Sequence, residues 1–334
     1  MSWFSTCRSG MTRWLPLLFF LAGCDAGTSG LGDGGDAALP GAPYSGPYDI
    51  AFADYKSYFS ADFTESDKKF AQSCGKAKGR LEFFDHPMLG ARGEPLRVAV
   101  CQVNPGSADK VLVTLSGTHG VEGFAGSMAQ VALLQNPELF PLPAGWRAVH
   151  VHQLNPYGAS FGLKENEDNA DQLKNAGRLW AQGIDNPILV EFIDALNIPN
   201  LGDPAVQQQA AGVPLKLAMK YGPTILNDAL KLGQGVRPIG IGYFGPSRSW
   251  STQVLDRVAA SYLPTVRQVV VIDWHTAVGD FGTWTALTPE DSSLATLSTW
   301  LQGSGATVSQ SDVPAGKGKP FYEFLRGSRG DAAI

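Results

Sequence analysis

The stretch Lys110-Val-Leu-Val-Thr-Leu-Ser-Gly-Thr-His-Gly-Val-Glu-Gly-Phe-Ala-Gly-Ser127 decides how the rest of the chain is read. Val111 to Leu115 is a short apolar run, the pattern of a buried strand. It breaks into a glycine-rich turn, and Ala125 to Gln135 then reads as a helix. Strand, turn and helix together are the repeating unit of an α/β sheet, and ligands bind such sheets at the carboxyl ends of the strands. On this turn stand His119 and Glu122. An imidazole and a carboxylate so placed can serve as two ligands of one metal ion.

The pattern extends in both directions. Downstream, Ala148 to Leu154 and Gln268 to Asp273 read as further strands, and Val254 to Leu263 as the helix leading into the second of them. Between them, residues 202 to 232 carry Leu215, Leu217, Tyr221 and Ile225 among polar residues, the pattern of a helical insertion or cover. Upstream, Ser66 to Gly75 reads as a helix with Phe70 and Cys74 inward and Lys68, Lys69 and Gln72 outward. Arg80 to His86 and Leu96 to Val103 are strand-like, and Gly90-Ala-Arg-Gly93 links them as a hairpin.

With 334 residues, 44% hydrophobic and 17% charged, the chain is long enough to bury a sizeable core. A net charge of -5 and a pI near 5.5 leave no basic surplus for nucleic acid, which is not expected as a partner. The N-terminus has the layout of an export signal: Arg13, the apolar run Trp14 to Leu21, then Ala22-Gly23-Cys24. The run is too short for a membrane span. Leu21-Ala-Gly-Cys24 resembles a bacterial lipobox, whose cysteine is lipidated and becomes the new N-terminus; an ordinary secretory signal is the other reading. Met11 is an alternative start. The expected organisation is a lipoprotein signal peptide over 1–24, a flexible Gly/Ala/Asp/Pro-rich linker over 25–47 and a folded domain over 48–334. The expected location is the bacterial cell envelope, periplasmic or extracellular face, with Cys24 as the only membrane contact. Cys74 and Cys101 then remain, either as a disulfide or as two buried thiols.

Of the five histidines, His150 and His152 share one face of a strand and read as buried core, and His86, just before Pro87, has no evident partner. His275 is different. It follows the run Val269 to Ile272 at once, in Asp273-Trp-His-Thr276, and so leaves a second strand end as His119 leaves the first. If the two strands are parallel neighbours, both imidazoles stand on one rim. Two histidines and a glutamate form an established catalytic zinc set with a fourth position open to water; zinc brings that water's pKa to about 7 and polarises a carbonyl.

At this point a family resemblance is visible. Ser116-Gly-Thr-His-Gly-Val-Glu-Gly-Phe-Ala-Gly-Ser127 is similar to the signature of an uncharacterised branch of the zinc carboxypeptidase-like proteins, related to the succinylglutamate desuccinylase and aspartoacylase families. Asn155-Pro-Tyr-Gly158, Asn166-Glu-Asp-Asn169 with Asp171, the stretch from Gly233-Gln234 to Tyr243-Phe-Gly245 with Trp250, and Ile272 to Thr276 follow in the same order. The resemblance implies a mixed, mostly parallel sheet flanked by helices, with His119, Glu122 and His275 as zinc ligands. It also shows departures. Where the pattern has Val-Asp-Leu-Asn-Arg-Asn-Phe this chain has Ala170-Asp-Gln-Leu-Lys-Asn-Ala176, and Leu163 and Lys164 replace an arginine pair. Lysine keeps the charge of arginine but loses its bidentate grip on a carboxylate. The family's general base, a glutamate some way beyond the last histidine, has no good counterpart; Glu323 lacks the strand-then-glycine setting, so a C-terminal truncation is expected.

The expected function is therefore zinc-dependent hydrolysis of an amide bond in a peptide or an N-acyl amino acid, with Lys164 and Lys174 on a substrate carboxylate. Two rivals stand beside it. The altered lysine positions also fit a degenerate, non-catalytic binding lipoprotein. Gly158-Ala-Ser160-Phe-Gly162 formally matches a serine-hydrolase elbow, although Asn155-Pro156 separates Ser160 from the end of its strand.

Overall fold

The computed structural model describes residues 55–310, apart from 105, 107, 139, 178–180, 182, 198–199, 201, 265, 277–282 and 289–290. The expected signal peptide and linker, Cys24 and Glu323 lie outside the described residues. No helix among those described is long and apolar enough to cross a membrane.

Helix α1, Phe63–Lys76, opens the fold; Asp62 caps it by accepting from the Glu65 amide, and the Glu65 carboxylate reaches back to the Ala61 amide. These reciprocal bonds satisfy amide groups that a helix start otherwise leaves unpaired. The hairpin follows as β1, Arg80–Leu89, and β2, Pro95–Val103, antiparallel with an irregular register between Asp85 and Leu89. Then come β3, Lys110–Ser116, helix α2, Gly123–Gln135, and β4, Trp146–His152. Short helices α3, Pro156–Phe161, and α4, Gln172–Ala176, lead to the cover made of α5, Pro187–Leu196, α6, Pro204–Tyr221, and α7, Pro223–Leu232. Helix α8, Trp250–Tyr262, returns the chain to β5, Gln268–Trp274.

The sheet order is β1-β2-β4-β3-β5. β3 runs parallel to both β4 and β5, while β2 is antiparallel to β4. A separate parallel pair, β6, Thr285–Thr288, and β7, Thr307–Gln310, brackets helix α9, Asp291–Trp300. The mixed α/β sheet flanked by helices is thus the architecture, and two of the four pairings in the five-stranded sheet are parallel.

Alternation along the strands assigns the two faces. Val98, Val100, Val111, Val113, Leu115, Val149 and Val151 pack against α8 through Val254, Leu255, Val258 and Tyr262. On the opposite face Ala99 and Cys101 meet Phe70 and Cys74 of α1 and Val131 and Leu134 of α2. Cys74 and Cys101 form a disulfide there, with Cα atoms 5.8 Å apart, which settles the two readings left open by the sequence. Gly79 is tied to that bridge: a Cβ on it would stand 2.6 Å from Cys101 Sγ and 2.8 Å from Cys74 Sγ.

His150 and His152 are buried as expected. His150 Nδ1 bonds Thr114 Oγ1 at 2.8 Å, and His152 Nε2 lies between Ser127 Oγ at 2.9 Å and Ser66 Oγ at 3.1 Å. Burial lowers their pKa values to about 4 and about 3, so both are neutral. The helical cover forms its own cluster around Leu189, Phe192, Leu217 and Leu226. Leu215 and Ile225, counted in its apolar pattern, stay exposed.

Candidate metal centre

Register carries the two histidines to one rim. β3 and β5 pair in parallel with Leu115 opposite Asp273 and Ser116 opposite Trp274, so the chain leaves both strands at the same height. From β3 it turns through Gly117, at φ +69, into a 3-10 turn over Gly120–Glu122 that runs directly into α2. The turn needs glycine at 120, where a Cβ would lie 2.3 Å from the Gly158 carbonyl carbon and 2.4 Å from the Ala159 nitrogen. That close approach is held by two amides of the turn: Gly120 donates to the Lys164 carbonyl at 3.1 Å and Val121 to the Leu163 carbonyl at 2.9 Å.

His119, Glu122 and His275 each present a ligand atom within 4.8 Å of the other two, the one such metal-ligating group among the described residues. His119 Nδ1 is 2.9 Å from Glu122 Oε1, His275 Nδ1 is 3.1 Å from Glu122 Oε2, and the Thr276 amide donates to Oε2 at 2.9 Å. The two rings meet edge to face, with centroids 4.8 Å apart. Both side chains on the turn are largely enclosed, 12% exposed for His119 and 14% for Glu122, against 28% for His275.

The far nitrogen of each ring faces a carboxylate. His275 Nε2 is 3.0 Å from Asp273 Oδ2, and Thr118 Oγ1 donates to both Asp273 oxygens at 2.9 and 3.0 Å. His119 Nε2 is buried without a hydrogen-bond partner and lies 3.5 Å from Asp171 Oδ1. Metal-binding histidines commonly have their other ring nitrogen held by a carboxylate, which fixes the tautomer and leaves the inner nitrogen as the donor. The residues present therefore fit a divalent cation: two nitrogens and a carboxylate converge on one point, each ring backed by an acid.

Electrostatics follow from this geometry. Burial pushes the Glu122 carboxyl upward, but hydrogen bonds from His119 and His275 outweigh it and hold the group far below the usual carboxylate range. Burial opposes charge on His275, yet Asp273 and Glu122 raise its pKa to about 10. Asp171 is fully buried; burial alone would raise its pKa, and Lys174, Lys164 and His119 bring it well below the ordinary value. Lys164 Nζ is 2.5 Å and Lys174 Nζ 2.7 Å from Asp171 Oδ2, and Lys164 also lies 3.8 Å from Glu165. Both lysines singled out in the sequence thus stand at the site, joined to the histidine cluster through one acid.

The roles of Asp171 and Asp273 were not assigned from sequence. Their signals were present: Asp171 sits one residue before α4, whose Lys174 amide it caps, and Asp273 lies two residues before a ligand at a strand end. Ser160 lies elsewhere. It belongs to α3, not to a strand–helix junction, and its hydroxyl pairs with Glu94 and accepts from the Ala91 amide at 2.9 Å.

The chain belongs to a family described as "Protein of unknown function (DUF2817)", matched over residues 59–324. A comparison with curated proteins gives no match. Among solved structures it is similar to the glutaminyl cyclase of Fimbriiglobus ruber, at 8% identity and TM-score 0.22, covering 30% of this chain and 41% of that one. The glutaminyl cyclase of Tannerella forsythia gives 13% identity and TM-score 0.26, with 36% and 52% covered. A Zn-dependent exopeptidase from Parabacteroides distasonis gives 8% identity and TM-score 0.28, with 69% and 83% covered. The chain spans about half the length or less of the two cyclases. Likenesses this slight carry no argument about fold or chemistry.

Proposed function

We propose that this member of the DUF2817 family is a zinc-dependent hydrolase of amide bonds, acting on a peptide or an N-acyl amino acid. The observation that carries the reading is the convergence of His119, Glu122 and His275 at the carboxyl ends of two parallel strands. Zinc held there supplies Lewis acidity, acidifying a water to a pKa of about 7 and polarising a carbonyl. The chain's own residues do the rest. Asp273, fixed by Thr118, orients the His275 ring, and Asp171 faces the His119 ring from the other side.

Lys164 and Lys174 are proposed to hold a substrate carboxylate. Each ammonium has three N–H donors, and each places one on Asp171 Oδ2. The location in the cell envelope through a lipid on Cys24 belongs to the same proposal, supported by the Arg13-to-Cys24 sequence.

The test is turnover of a panel of peptides and N-acyl amino acids by the purified protein, with and without a chelator. Chelator-sensitive turnover, restored by zinc, is the expected result. Zinc binding with no turnover of any panel member, by a protein extended past residue 334 as well, favours the binding lipoprotein instead. Chelator-resistant turnover with labelling of Ser160 by a serine-directed probe favours the serine hydrolase.

A further inference from the structure

One buried polar pair outside the metal centre has no part in the chemistry above. His86 lies where the β1–β2 register shifts, between Asp85 and Leu89. Such an irregularity re-aims a side chain. The His86 side chain is wholly buried, and its ring packs edge-on against Trp250, the first residue of α8, with centroids 4.5 Å apart. Its Nδ1 accepts from the Met88 amide at 3.1 Å, which leaves the proton on Nε2. Nε2 lies 3.4 Å from Glu167 Oε2, an ion-pair distance, and neither atom has a hydrogen-bond partner. Glu167 is itself largely enclosed, with 11% of its side chain exposed.

Glu167 sits in the loop that carries the site's charges. Asn166 Oδ1 accepts from the Asp168 and Ala170 amides at 3.1 and 2.7 Å, and the Asn166 amide donates to the Ala170 carbonyl, so 166–170 is a closed turn. Lys164 precedes that turn and Asp171 follows it. The carbonyls of Leu163 and Lys164 receive the Val121 and Gly120 amides of the metal turn. Glu167 thus lies between Lys164 and Asp171, in the segment whose first two carbonyls hold the turn between His119 and Glu122.

We propose that the His86–Glu167 pair is a latch that holds the 163–171 loop, with Lys164 and Asp171, in register against the metal turn. The two residues act through the loop and are positioning residues. Its effect on substrate binding rests on the hydrolase reading; its effect on the loop does not.

The experiment compares full-length, zinc-loaded wild type with Glu167→Ala and Glu167→Gln, reading amide hydrogen exchange at Gly120 and Val121 together with KM and kcat. For Glu167→Ala, exchange at these two amides rises about tenfold and KM for a carboxylate-bearing amide rises by a similar factor, while kcat and zinc content hold. Glu167→Gln, which can still accept from Nε2, recovers most of both effects. His86→Phe, which fills the space without a donor, reproduces Glu167→Ala from the other side and serves if that variant does not fold. Wild-type exchange at Gly120 and Val121 in both Glu167→Ala and His86→Phe overturns the latch, as does a Glu167→Gln variant as impaired as Glu167→Ala. A wild type without chelator-sensitive turnover would defeat the hydrolase reading alone, and the exchange measurement would still decide the latch.

Discussion

At the scale of single residues, the candidate metal ligands are held by their neighbours. Asp273 touches His275 Nε2 and is itself fixed by Thr118. Replacing it with Asn keeps the shape but removes the charge that orients the ring. Zinc titration of Asp273→Asn is expected to show affinity about 10- to 100-fold weaker than wild type. The raised pKa of His275 gives a second expectation. Below about pH 10 the metal-free protein holds a proton on this ring. A cation must displace that proton, so zinc affinity rises with pH and binding releases protons; calorimetry in buffers of different ionisation enthalpy reads this directly. The three candidate ligands, His119, Glu122 and His275, could be picked out of the sequence because histidines are few and two of them lie just beyond apolar strands. The acids behind them were not, because Asp and Glu together number 31 and only strand register and the 166–171 turn bring Asp171 and Asp273 to the rings.

At the scale of elements, the disulfide joins α1 to β2 across 27 residues of chain. Closing a loop of that length in the unfolded state contributes about 3–4 kcal/mol. The double substitution Cys74→Ser/Cys101→Ser should lower the urea unfolding free energy by about that amount, with m-value changes reporting any expansion of the unfolded chain. Gly79→Ala should also destabilise, since its Cβ would press on both sulfurs. Most elements could be read from periodicity: α1 from Phe70 and Cys74, β3 from Val111 to Leu115, β5 from Val269 to Ile272. What could not be read is the pairing. That β2 lies antiparallel beside β4 and places β3 between β4 and β5 follows from long-range packing of Val98, Val100 and Val149 on α8, which no local pattern records. The four-residue strands β6 and β7 were too short to show a period. In the cover, Leu215 and Ile225 follow apolar composition but face outward, because Leu189, Leu217 and Leu226 already fill that cluster.

At the scale of the whole molecule, the buried histidines tie stability to pH. His150 and His152 titrate near 4 and 3 when folded and near 6.5 when free. Between those values the unfolded chain binds protons that the folded chain refuses. Their contribution is thus intact above about pH 6.5 and is lost as pH falls toward 4 and 3. Urea midpoints are expected to drop between about pH 7 and pH 5, and to drop less in His150→Gln/His152→Gln. The overall charge of -5 is unevenly placed: locally, Lys164 and Lys174 bring two cations to Asp171, where the substrate carboxylate is proposed to bind.

The proposed metal centre is tested most directly by zinc content. Purified wild-type protein, loaded and then dialysed, should retain one zinc per chain, while His119→Ala and His275→Ala, with unchanged circular dichroism, should retain little or none. Equal zinc content in the wild type and both variants would contradict it.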